Sequence, residues 1–301
     1  MLKAIIFVMK PHILDKKTRN IILKAQKNEI TEYFIYEKLS QSIKDPHNKK
    51  ILKNISEDEL RHYHFWKKYT NQDVTPDTLK MWKYYIISKL LGITFGIKLM
   101  ERGEENAQII YEKVSEVIPD AKAIQKDEDE HEKELIALLD EERLKYVGSI
   151  VLGLNDALVE LLGALAGFTL TLQNTSIIGV VGLITGIAAS FSMAASEYLS
   201  TKSEGHHPNP VKASVYTGSA YLITVLVLIF PYFIFKNYYV CLGVTIVNAV
   251  VIIFMFTFYV SVVKDISFRK RFLEMAFISL GIAALTFVIG FFVRMFLHID
   301  I

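Results

Sequence analysis

The side chains best suited to chemistry in this chain are carboxylates and imidazoles set at helical spacing. Glu59 and His62 form a Glu-x-x-His pair, and Glu128 and His131 repeat it. Each pair is preceded by a lone acid with a tyrosine seven residues on, Glu29 with Tyr36 and then Glu104 with Tyr111. A Glu and a His three residues apart share one helix face, so both reach one metal ion. Two metal ions about 3.5–4 Å apart need bridging carboxylates and terminal ligands from each side. One Glu from each of two helices, with a Glu-x-x-His from each of two others, meets that need. It is the di-iron carboxylate arrangement of a four-helix bundle. Glu101, one turn before Glu104, is a further candidate ligand. Glu57, Asp58, Glu130, Glu132 and Glu134 read as solvated flanks, Glu32 and Glu105 lie off the ligand face, and His64 points away from His62. His12 and His47 read as surface residues.

A second set of acids stands where acids are rare. Asp156 and Glu160 are four residues apart in the apolar run GLNDALVELLGALAG, and Met193 and Glu197 are four apart in SFSMAASEYLSTKSE. A carboxylate inside a membrane span is expensive and marks a polar path or a partner. A thioether beside carboxylates suits a first-row divalent metal better than Mg²⁺ or Ca²⁺. Carboxylates bind metal only when deprotonated, so metal and proton compete for one site. A site that changes access with either cargo, but not empty, is an antiporter. Glu204, His206 and His207 follow in a short loop, as an accessory metal-handling cluster or simply a polar loop.

These residues need elements to position them, and the composition says which. Residues 1–146 carry 26 Lys/Arg and 25 Asp/Glu, against 8 and 7 in residues 147–301. A soluble domain averages about one charged residue in four, so the halves differ in kind. The first half shows helical periodicity with almost no strand alternation, and helices are predicted near 16–43, 47–69, 91–117 and 120–146. Asp45-Pro46, Thr75-Pro76 and Pro119-Asp120 resemble helix starts. The second half holds five apolar stretches, near 147–172, 176–200, 213–235, 238–262 and 273–297, each long enough to cross about 30 Å of hydrocarbon. Gly163 with Gly167, and Gly182 with Gly186, have the four-residue spacing that lets helices approach closely. Asn248 reads as a helix–helix hydrogen bond and Glu274 as an interfacial residue beside Arg271.

Lys202, Lys212, Lys264, Arg269, Lys270 and Arg271 fall on one side of the spans, which predicts a cytosolic N-terminal half and an outside C-terminus. Residues 77–90 mix aromatics, aliphatics and lysines, and are expected to pack on a partner bundle, to touch lipid, or to cover their own bundle. One cysteine, Cys241, excludes a disulfide framework and a thiolate metal cluster. A net charge of +2 with no basic block gives no sign of nucleic acid as a partner.

NEITEYFIY, EDELRH, GEENAQIIY and DEDEHEKEL resemble the rubrerythrin-like branch of the ferritin-like proteins, while GLNDALVELLGALAGF and SMAASEYLSTKSE resemble the vacuolar iron transporter family. Together they resemble a membrane-bound ferritin-like domain fused to that transporter, over roughly residues 16–300. The resemblance implies an all-α protein: a ferritin-like four-helix bundle over 1–146 and a five-span α-helical membrane domain over 147–301. It implies a homodimeric multi-pass protein, placed in the plasma membrane of a prokaryote. Its expected activity is export of Fe²⁺, or Mn²⁺, from the cytosol against protons.

Carried over onto this sequence, the di-iron positions are Glu29, Glu59, His62, Glu104, Glu128 and His131, and the pathway positions are Asp156, Glu160, Met193 and Glu197. The chain departs from the families it resembles in three ways. The link TKSEGHHPNPVK is short where eukaryotic transporters carry an acidic helical insert. No rubredoxin-like Cys-x-x-Cys module is present. Ala107 stands where soluble rubrerythrins carry a further Glu. The rival reading is a ferroxidase or peroxidase, with the membrane half as its anchor.

Overall fold

The computed structural model describes residues 15–102, 118–122, 124, 126, 142–205 and 209–297. Its described regular elements are helices, and no strand occurs among them. The chain divides into two compact units, residues 1–141 and 142–301.

In the first unit α1 (Lys16–Ser42) and α2 (Pro46–Thr70) are joined by three residues. Each starts where an aspartate accepts from a backbone N–H of the first turn: Asp15 from Thr18 at 2.5 Å, Asp45 from Asn48 at 2.7 Å. Pro46 fits the first turn because its missing N–H is not needed there. The short link makes the helices antiparallel. Ile35 and Leu39 pack with Leu52 and Ile55 near the connection, and Ile22 packs with Trp66 toward the other end.

Beyond α2, Asn71 in the left-handed region turns the chain. Then α3 (Thr78–Leu91) begins two residues later than the Thr75-Pro76 pair suggests, because Asp77, not Thr75, caps it by accepting from Lys80 N–H at 3.0 Å. That hydrogen bond, with Lys27 nearby, holds the Asp77 carboxyl below the usual aspartate range. Gly92, at φ 109°, separates α3 from α4 (Ile93–Arg102), so the helix expected from 91 starts after it. A side chain at Gly96 would collide with Ser88, which is how closely α4 lies against α3. Most of the helices expected over 91–117 and 120–146 lie outside the described residues.

The second unit opens with a short helix, α5 (Glu142–Lys145), and then Tyr146 at φ −108°, ψ 9°. The short helix therefore does not run unbroken into the first span. Tyr146 is held by its own contacts, stacking on Tyr216 at 4.9 Å and accepting the Asn209 N–H at 3.2 Å. Five helices long and apolar enough to cross a membrane follow, over 147–172, 175–204, 210–234, 238–264 and 268–296. The first is composite: α6 (Val147–Asp156), a π-helical turn (Ala157–Leu161) and α7 (Leu162–Leu172). The others are α8 (Thr175–Glu204), α9 (Pro210–Ile234), α10 (Tyr238–Lys264) and α11 (Phe268–Leu297). Asparagines cap three of these starts, Asn174, Asn209 and Asn237.

The small residues act as their spacing suggests. Gly163 and Gly167 of α7 receive α11: Thr286 Oγ1 donates to the Gly163 carbonyl at 2.7 Å, and a side chain at Gly290 would strike the Gly167 carbonyl. Gly182 and Gly186 admit Leu165 and Val225. Pro231 lies inside α9 and has no N–H for the carbonyl of Val227 four residues earlier. Asn248 of α10 supplies the missing donor, its Nδ2 reaching Val227 O at 3.1 Å. In hydrocarbon a freed carbonyl must be answered by a neighbour.

Asn248→Leu should therefore lower the thermal stability of the detergent-solubilised chain, by about 0.6–1.7 kcal/mol in a double-mutant cycle. Pro231→Ala restores the helix's own donor, so adding it to Asn248→Leu should recover most of the loss. Equal losses with and without Pro231→Ala would show that Asn248 acts in another way.

Candidate functional site

In the first unit α1 presents Glu29 and α2 presents Glu59 and His62 to one another. His62 Nδ1 lies 3.8 Å from Glu29 Oε2 and 3.8 Å from Glu59 Oε2. One ligand atom from each residue falls within 4.8 Å of the others, and all three side chains are buried, none more than 6% exposed. The cluster follows from the local rules: Glu59 and His62 are one turn apart on α2, and the antiparallel packing brings Glu29 level with them.

Trp66, one turn beyond His62 and fully buried, donates from Nε1 to Glu29 Oε1 at 3.0 Å. That bond turns the other carboxylate oxygen of Glu29 toward His62. The sequence reading missed Trp66; its signal was the i+4 spacing from His62. One helical turn further along, Thr70 Oγ1 donates to Gln26 Oε1 at 2.6 Å, and Gln26 Nε2 donates to Gln72 O at 2.9 Å. These bonds hold the two helices in register beside the acids.

Two carboxylates crowded beside one imidazole in a dry core repel each other, and buried charges need pairing or a metal. Carboxylate and imidazole together suit a first-row divalent ion, so the donor set fits such a metal. Glu104, Glu128 and His131 lie outside the described residues, as does the side chain of Glu101. The described half thus carries ligands for one ion.

Glu32, read from sequence as lying off the ligand face, is buried and bonded to Lys80 Nζ of α3 at 3.2 Å, so its role is to tie α3 to α1. Asp58 pairs with Arg61 at 2.5 Å, while Glu57, His47 and His64 are exposed as expected.

In the second unit the acids occupy two levels. Ser149 Oγ donates to Glu197 Oε1 at 2.6 Å, tying the start of the first span to the end of the second. Thr217 of α9 donates to the Ser149 carbonyl at 3.0 Å, and a side chain at Gly153 would collide with the Thr217 backbone. Three helices therefore meet closely at this level. Asp156 and Glu160 lie roughly 10 and 16 Å further along the first span, at 1.5 Å rise per residue. There Tyr221 Oη of α9 donates to Glu160 Oε2 at 3.2 Å.

The π-helical turn lies between Asp156 and Leu162, where a regular helix was expected. A π-turn widens the helix locally, and such turns collect at functional sites. Met193 falls between the two levels, one turn inward of Glu197, and packs against the core of the unit. Ser149 and Tyr221, the hydroxyl partners of the acids, were not singled out from the sequence. Nothing in the sequence alone pairs residues 48 and 61 positions apart. Glu204 closes α8; His206 and His207 lie outside the described residues.

Comparison with known proteins gives one finding. The sequence profile of the VIT family matches residues 147–209, which cover the first two spans and contain Asp156, Glu160, Met193 and Glu197. No curated protein and no solved structure matches the chain.

Trp66→Phe removes the indole that orients Glu29 and leaves the ligand residues in place. It should weaken Fe²⁺ or Mn²⁺ binding to the full chain about 10- to 100-fold in anaerobic calorimetry, the usual effect of losing an outer-shell partner. Glu59→Ala should abolish that binding component. Unchanged loading in both variants would refute the cluster as a metal site.

Proposed function

We propose that this chain is a membrane transporter of first-row divalent metal ions, Fe²⁺ foremost and Mn²⁺ by the same ligands. It carries them out of the cytosol against protons. The observation that carries the reading is the placement of Asp156 and Glu160 on the π-widened turn of the first span, inside the segment matched by the VIT family. Two acids there have a desolvation cost that only a cation or a proton relieves. Among the described residues, the Lys and Arg of the spans lie near helix ends; Arg294, for one, donates to Leu170 O at 3.5 Å, two residues from the end of the first span. The relieving cation therefore comes from solution.

Glu197, held by Ser149, receives the ion at the end of the spans. Met193 adds a soft donor one turn inward, and Asp156 and Glu160 hold the ion deeper. The Tyr221 hydroxyl donates to Glu160 and so orients it. When protons reach the two acids from the far side, the metal is released, and the protonated site returns. The positive-inside bias of the basic loops supports a cytosolic position for the N-terminal unit. There Glu29, Glu59 and His62, with Glu104, Glu128 and His131 as the second half, would hold iron. That di-iron centre supplies capture, with oxidation of the metal as a chemistry open to it. A homodimer in the plasma membrane of a prokaryote completes the proposal.

Asp156→Asn keeps size and hydrogen bonding and removes the charge. In proteoliposomes it should abolish proton-driven Fe²⁺ flux while leaving metal binding by the N-terminal unit unchanged. Glu197→Gln should do likewise, and Met193→Leu should weaken flux or shift the preference between Fe²⁺ and Zn²⁺. Wild-type flux in Asp156→Asn would overturn the transport site and favour a membrane-anchored ferroxidase or peroxidase.

A further inference from the structure

Helix α3 has two apolar faces, and the bundle uses one. Met81, Tyr84 and Ser88 are buried toward α1 and α4. On the opposite side Leu79 is 80% exposed, Trp82 48%, Ile86 50% and Leu90 69%. At about 100° per residue these four fall within one narrow stripe along the helix. Lys89 flanks the stripe on one side and Lys83 on the other. Lys38 of α1 lies over the Trp82 ring at 4.9 Å from its centroid. Between Thr78 and Leu91 the helix carries three lysines and no acid.

An apolar strip of this kind on a monomer surface marks an interaction site. The charge pattern selects the occupant. A second copy docking through the same stripe would set lysines against lysines, because an isologous contact pairs a patch with itself. An anionic headgroup layer complements them, and a helix with an apolar face edged by lysines suits a bilayer interface. The same chain also carries five helices able to cross a bilayer, so such a surface is within reach of the tether.

We propose that α3 is an interfacial helix: Leu79, Trp82, Ile86 and Leu90 enter the headgroup region of anionic lipid, and Lys83, Lys89 and Lys38 lie on the phosphates. The N-terminal unit is then lipid-docked as well as tethered. This assignment stands independently of the transport reading, since it needs the membrane spans but no cargo.

The test uses the full chain in vesicles and the emission of Trp82. The chain has two tryptophans, and Trp66 is buried, so the signal lost in Trp82→Phe is the Trp82 share. In vesicles containing phosphatidylglycerol, lipids brominated on the upper acyl carbons should quench that share and its emission should lie to the blue. The quenching should be lost in pure phosphatidylcholine, at high salt, and in Lys83→Glu/Lys89→Glu. The lipid and salt comparisons need no variant, so they decide the matter even if a variant misfolds. Emission at the red, unquenched value in both lipids would overturn the proposal. So would blue emission indifferent to brominated lipid and to lipid charge, with cross-linking through position 82 between copies; that result would assign the stripe to a second copy of the chain.

Discussion

Taking a carboxylate out of water is the most costly step in building this protein, and both units are organised around answering it. In the first, Glu29 and Glu59 are buried beside His62, with Trp66 donating to Glu29. In the second, Ser149 answers Glu197 and Tyr221 answers Glu160. Each answer comes from a different helix, so satisfying an acid also fixes a helix pair. A buried charge with poor compensation costs several kcal/mol even after relaxation. The packing around Glu29 and Glu59 therefore cannot be loose.

The same logic extends from charges to the backbone. Pro231 withholds a donor from Val227, and Asn248 of the next helix provides one. Thr286 bonds the Gly163 carbonyl, and Thr217 bonds that of Ser149. Such contacts require helix axes to come close, which explains small residues at Gly153, Gly163 and Gly167. In lipid, where apolar surface alone gives helices little reason to associate, close packing and polar bonds of this type hold the bundle. The π-turn in the first span departs from regular helix directly after Asp156 and includes Glu160.

The two units handle their acids differently because their surroundings differ. In the first unit Glu32 has a fixed cation, Lys80, and is structural; Glu29 and Glu59 face an imidazole, a group that coordinates metal as well as it bonds protons. In the second unit the partners are hydroxyls, which orient a carboxylate without neutralising it. A carboxylate oriented but not neutralised keeps affinity for a mobile cation, and that is the property a transport step needs.

The sequence by itself determined the helical class, the five spans to within a few residues of their ends, and the Glu59 and His62 pair. These rest on local periodicity, on hydropathy and on i, i+3 spacing, all of which are written along one helix. The pairing of Asn248 with another helix was legible in kind, because an amide in an apolar run needs a partner. Which partner was not, since that depends on Pro231 lying opposite.

Tertiary structure alone decided four things. It set Trp66 on Glu29 and Lys80 on Glu32, because both depend on the register of one helix against another. It set Glu197 at a different level from Asp156 and Glu160, because antiparallel spans place residue 149 beside residue 197. It broke the helix at Tyr146, where ring stacking on Tyr216 and the bond from Asn209 hold the residue in a turn. And it left the outer face of α3 open: residues 79 to 90 are apolar nearly all round, and only packing could choose which side the bundle would take.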